Sequence, residues 1–94
     1  MSVWELSFTE IGLSDVGRLS KRLRRTVFGK LKWLAIHFDE VTPSPLHEPW
    51  RDFFKLRIGD WRAVYEVEWS QRKLTIHVID HRSKIYTRRP PRTR

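Results

Sequence analysis

Ninety-four residues, 39% of them hydrophobic and including five Trp, five Phe and two Tyr, allow one folded domain with a single modest core and leave no room for a second. The absence of cysteine excludes a disulfide framework and a thiolate metal site, and fits a reducing cytoplasm. The net charge of +8 is unevenly placed, with seven Lys/Arg against six Asp/Glu in residues 1–49 and twelve against five in residues 50–94. That asymmetry predicts a polyanionic partner for the second half, nucleic acid first and an acidic protein second.

Met1-Ser2-Val3-Trp4-Glu5 has no charged segment leading into an apolar run, so no signal peptide is expected. No apolar stretch approaches the ~20 residues that cross a bilayer. Val3 to Phe8 alternates as an opening strand, with Trp4, Leu6 and Phe8 on one side. A short helix follows from about Glu10 to Leu19, weakened by Gly12 and Gly17. Ser20 is the expected N-cap of a longer helix from Lys21 to about His37. Its apolar stripe is Leu23, Val27, Leu31, Leu34 and Phe38, while Arg22, Arg24 and Arg25 read as a solvated face. Thr42-Pro43-Ser44-Pro45 and Pro49 make the longest irregular link; His37 and His47, on either side of it, read as surface residues, and Trp50 as partly exposed.

Three strands follow, over Trp50 to Ile58, Asp60 to Trp69 and Lys73 to Asp80, and then a last short one from Ser83 to Thr87. The order β-α-α-β-β-β-β predicts an α+β fold. Both helices should pack on one face of a mainly antiparallel sheet of four to five strands. Residues 1–87 form the single domain, and the basic Pro/Arg run 88–94 is expected to be a flexible tail.

The most informative segment is Phe53 to Val67, which alternates on both sides of Gly59-Asp60. Gly at the first central position of a two-residue loop signals a type II′ hairpin. Folding there sets Ile58 against Trp61, Arg57 against Arg62, Leu56 against Ala63, Lys55 against Val64 and Phe54 against Tyr65. Phe54, Leu56, Ile58, Trp61, Ala63 and Tyr65 then face a core, and Lys55, Arg57 and Arg62 form a cationic patch on the opposite face. Like charges directly opposite on a sheet cost roughly 0.2–1 kcal/mol. A phosphate between them turns that cost into binding energy. If Leu74, Ile76 and Val78 face the core, parity places His77, Ile79 and His81 on the cationic face, unless a bulge near Asp80 reverses it.

The hairpin Phe54-Lys55-Leu56-Arg57-Ile58-Gly59-Asp60-Trp61-Arg62-Ala63-Val64-Tyr65-Glu66-Val67 is similar to the core signature of RelE-type toxins, as is the later His81-Arg82-Ser83-Lys84-Ile85-Tyr86. These toxins belong to the RelE/ParE superfamily of bacterial toxin–antitoxin systems, and the resemblance covers roughly residues 3 to 87. It implies an antiparallel sheet flanked by two helices and a cognate antitoxin, a small acidic protein with a DNA-binding region, held in a hetero-oligomer. For RelE itself it implies a metal-independent, cofactor-free endoribonuclease that cleaves messenger RNA in the ribosomal A site. By position, Lys55, Arg57, Arg62 and Tyr86 match basic and aromatic residues that such enzymes use on RNA; His81, Arg82 and Lys84 lie in the last motif. Phe53 stands where the best-known enzymes often carry a second lysine, and Asp80 where some members are basic. ParE-like relatives share the fold and act on DNA gyrase without catalysis.

Attack by a ribose 2′-oxygen needs a proton acceptor, cations around the developing phosphorane and a donor for the leaving 5′-oxygen. Arg57 and Arg62 can supply only charge. Lys55, beside Arg57, is a candidate base. Histidine's ordinary pKa suits proton transfer, which makes His81 a candidate acid or base. Tyr86 is suited to stacking on a base or bonding the phosphate, with a place in the core as its alternative. Besides the nuclease, two readings remain open: a ParE-like gyrase inhibitor, and a non-catalytic module that binds RNA or the ribosome.

Overall fold

The computed structural model describes residues 3–91. Its elements run β1 (Glu5–Phe8), α1 (Glu10–Gly17), α2 (Lys21–His37), β2 (Ser44–Pro45), β3 (Phe54–Ile58), β4 (Trp61–Glu68) and β5 (Lys73–His81), with short 3₁₀ turns at Phe38–Glu40, Trp69–Gln71 and Ile85–Thr87. The five strands form one sheet in the order β1-β5-β4-β3-β2. All neighbours are antiparallel except β1, which lies parallel to β5. The α+β class and the two helices on one face agree with the expectation from sequence.

Local signals placed the helices well. Thr9 caps α1 by accepting from the Gly12 N–H, and Ser20 caps α2 by accepting from the Leu23 N–H. Val27, Leu31 and Leu34 of the α2 stripe are fully buried, and they pack with Val16 of α1 on Ala63, Tyr65, Leu74, Ile76 and Ile79 of the sheet. Gly12 owes its place to packing: a Cβ there would overlap the Ile76 carbonyl oxygen, so only glycine lets α1 lie this close to β5. Arg24 is not part of a solvated face. Its guanidinium donates to the carbonyls of Val16, Gly17 and Leu19, tying the start of α2 to the C-terminal end of α1 and the link after it.

Three expectations need correction. Ser83 to Thr87 is not a strand; Ile85–Thr87 makes a 3₁₀ turn, and the fifth strand is instead the two-residue Ser44–Pro45 within the proline-rich link. Trp50 is not partly exposed but buried at 2%, whereas Trp33 and Trp69 are exposed and Trp61 is half-buried. Arg88 does not begin a free tail: its guanidinium bridges Asp15 and Asp80, and its carbonyl accepts from the Trp50 indole N–H. Of the segment expected to be a flexible tail, residues 92–94 lie outside the described residues.

The sheet's second face is only half open. Trp50, Phe53, Val64, Val78 and Ile85 form a separate small core there, with Leu46 packed against it. The proline-rich link and the last 3₁₀ turn therefore cover one half of the face, and the hairpin end is left to the cations.

Candidate active site on the hairpin face

The hairpin has the predicted register, with Arg57 directly opposite Arg62 and Lys55 opposite Val64. Gly59 carries φ of +59° and Asp60 no positive φ, as a type II′ loop requires. Because the turn is two residues long, it sets the pairing of every residue behind it, which is why Lys55, Arg57 and Arg62 share one face.

Arg57 is exposed, and Arg62 is partly covered. The Arg62 guanidinium folds onto its own hairpin, donating to the carbonyls of Gly59 at 2.9 Å and Trp61 at 2.8 Å. Those bonds orient the group without neutralising it. Asp80 is opposite Arg62 in the sheet, yet its carboxylate is bonded to Arg88 at 2.8 Å. Among the described residues, Lys55, Arg57, Arg62 and Lys84 form no ion pair with a carboxylate. Positive charge on this face is thus uncompensated from within.

Tyr86 is 54% exposed, which removes it from the core. The last 3₁₀ turn anchors Ile85 in the small core and so holds the next side chain over β3, with the Tyr86 hydroxyl 3.5 Å from Lys55 Nζ. At that distance the contact is loose. It joins two residues 31 apart in sequence at the edge of a cleft of about 340 Å³. The cleft's other walls come from the proline-rich link, including Pro45, His47 and Glu48. Composition and periodicity did not single out this link as part of a site, because short irregular segments carry no periodic signal.

His81 is placed differently from the parity expectation. A bulge opposite Val64/Tyr65 inserts one extra residue in β5, so Val64 pairs with Val78 and Tyr65 with Ile76. His77 stays on the second face, bonded to Glu66 at 2.9 Å with its ring against Phe53. Val78 joins it there, while Ile79 turns into the main core. His81 comes to lie beside Trp61, ring centroids 5.6 Å apart, on the face away from Arg57 and Arg62. Its Nδ1 accepts from the Ser83 backbone N–H at 3.2 Å and lies 2.9 Å from the Ser83 hydroxyl, which ties the ring to the turn that follows β5. Arg82 stays at the hairpin tip, 3.8 Å from the Asp60 carboxylate, and Lys84 is exposed. Phe53, at the position often occupied by lysine, is buried in the small core and cannot reach a ligand.

Among the described residues no group of three or more His, Asp and Glu could hold a metal ion, and no helix is long and apolar enough to cross a membrane.

A sequence model described as "ParE toxin of type II toxin-antitoxin system, parDE" matches residues 9–86. The chain belongs to this toxin family, within the RelE/ParE superfamily. A chain of the toxin–antitoxin complex RelBE2 from Mycobacterium tuberculosis superposes with a TM-score of 0.77 at 24% identity, over 88% of this chain and 95% of that one. Isolated Escherichia coli RelE gives 0.69 at 20% identity, over 89% and 92%. A chain of the chromosomal ParDE system of Pseudomonas aeruginosa gives 0.68 at 14%, over 84% and 96%. At such identities these likenesses establish the fold that the family shares. No curated protein matches the sequence.

Proposed function

We propose that this toxin is a ribosome-dependent endoribonuclease that cuts messenger RNA without a metal and so stops translation. The observation that carries this reading is that Lys55, Arg57 and Arg62 share one face of a two-residue hairpin without an ion pair to a carboxylate, with the exposed Tyr86 set against Lys55. In the reaction, the ribose 2′-oxygen attacks the adjacent phosphorus, its proton passes to a base, and the bond to the 5′-oxygen breaks as that oxygen takes up a proton. Arg57 and Arg62 stabilise the added negative charge of the phosphorane, Arg62 from a position its own hairpin carbonyls hold. Lys55 and Tyr86 are the two groups near enough to each other to divide the proton transfers. His81, on the other face beside Trp61, takes no part in those transfers, and Arg82 and Lys84 supply the charge at the rim that draws in the RNA backbone.

The partner that silences this activity is a small acidic antitoxin with a DNA-binding region. The chain's charge of +8 supports it, and the similar Mycobacterium tuberculosis structure is itself a toxin–antitoxin complex.

A gyrase-directed, non-catalytic toxin is the second reading. The name of the matching family and the buried Phe53 in place of a cation favour it. Translating ribosomes loaded with defined mRNA separate the two. The nuclease reading expects cuts within A-site codons that fall at least a hundredfold with Arg62→Ala. Intact mRNA together with loss of gyrase supercoiling activity would overturn it.

A further inference from the structure

The cleft beside Lys55 and Tyr86 is not needed to grip a phosphate, yet it opens directly from the two residues assigned to the proton transfers. Its volume of about 340 Å³ is within the range of small-ligand sites. The pyrrolidine faces of Pro45 and Pro49 and the exposed Tyr86 ring supply flat apolar walls. A nucleobase stacks on such walls whatever its identity. Selection among bases therefore falls to the polar side chains of the link, His47 and Glu48.

Glu48 is the odd residue here. Its carboxylate faces solvent on a chain of net charge +8, with 71% of the side chain exposed and only a loose 3.5 Å contact to Arg51. Next to an RNA backbone an exposed carboxylate held only by that loose contact is repulsive, unless a base donates hydrogen bonds to it. An ionised carboxylate can only accept. Guanine presents two adjacent donors, N1–H and N2–H, on its Watson–Crick edge, matching the two oxygens of one carboxylate. Adenine and cytosine offer a single amino group there, and uracil a single imide N–H. Paired charge-assisted bonds are the stronger and more selective arrangement.

We infer that the cleft is the specificity pocket for the base beside the scissile phosphate, and that Glu48 makes guanine its preferred occupant. This assignment rests on the nuclease reading for its place in the reaction. Its test does not depend on turnover. Full-length ¹⁵N-labelled protein is titrated with the 5′-monophosphates of guanosine, adenosine, cytidine and uridine. The readouts are the indole N–H of Trp50, a buried residue that lines the cleft and is bonded to the Arg88 carbonyl, and the Tyr86 amide. Guanosine monophosphate is expected to saturate both shifts at a concentration at least fivefold lower than the other three, and Glu48→Gln to bring all four within twofold. Equal binding of the four by the native chain, or a guanine preference that survives Glu48→Gln, overturns the assignment. Ribosomal cleavage of mRNAs that vary the base on each side of the cut is run in parallel. Cutting with no base preference sinks the pocket and spares the nuclease. Guanine-selective binding with intact mRNA sinks the nuclease and retains a guanine site. No shift with any nucleotide and no cutting sinks both.

Discussion

The Arg88 guanidinium lies 2.9 Å from a carboxylate oxygen of Asp15, although the two residues are 73 positions apart and the Asp15 side chain is 1% exposed. A second Arg88 nitrogen reaches Asp80 at 2.8 Å, and Asp15 also accepts the Ile79 backbone N–H. One arginine therefore ties α1, β5 and the C-terminal segment together. The same arginine pairs with Asp80, so the carboxylate directly opposite Arg62 in the sheet is engaged elsewhere.

Replacing Arg88 by alanine strands a buried carboxylate that Arg18 and the Ile79 N–H still partly satisfy. The expected loss is about 2–4 kcal/mol, at or below the usual cost of breaking a buried pair. Urea unfolding followed by tryptophan fluorescence measures it. An unchanged midpoint would mean that the bridge carries no weight in the fold.

Two glycines in the helices should respond to alanine with opposite signs. Gly12→Ala forces α1 off the Ile76 carbonyl, and a loss of about 2–3 kcal/mol is expected despite alanine's better helix propensity. Gly29, within α2, has nothing within 4 Å of an added Cβ, so Gly29→Ala should gain about 0.5–1 kcal/mol. Thermal melts of the two variants decide the matter directly.

Arg57→Ala should separate stability from activity. Removing one of two like charges set opposite each other relieves roughly 0.2–1 kcal/mol. The same change should lower mRNA cleavage at least tenfold, because the phosphorane loses one of its two guanidinium partners. A variant both less stable and fully active would contradict the role assigned to this pair.

Burial pushes the Tyr65 hydroxyl up from the ordinary 10 to about 12. The folded state therefore holds this proton more tightly than the unfolded chain does. Its contribution is intact below pH ~10 and is lost as pH rises from there toward ~12, by on the order of 2 kcal/mol in total. Urea midpoints measured from pH 9 to 11.5 should fall along that slope, and Tyr65→Phe should flatten it.

Much of this molecule was readable before folding wherever a short local pattern specified geometry. Gly59-Asp60 sets a two-residue turn, and the turn alone determines that Arg57 meets Arg62; nothing distant is needed. The α2 stripe and its Ser20 cap are local in the same way. What periodicity could not supply was the bulge in β5, since one inserted residue breaks the alternation without changing the composition and moves His81 to the other face.

The remaining decisions belonged to contacts between segments far apart in the chain. Ile85 buries itself against Val78 and so swings Tyr86 over Lys55; Trp50 and Phe53 fold under the proline-rich link and make a cleft of it; Arg88 turns back to Asp15. Turn chemistry and amphipathic spacing act over a few residues and are written in sequence. A small second core and a buried ion pair form only once the whole sheet exists to bring their members together, so it was the tertiary structure that set a cleft beside the cationic hairpin.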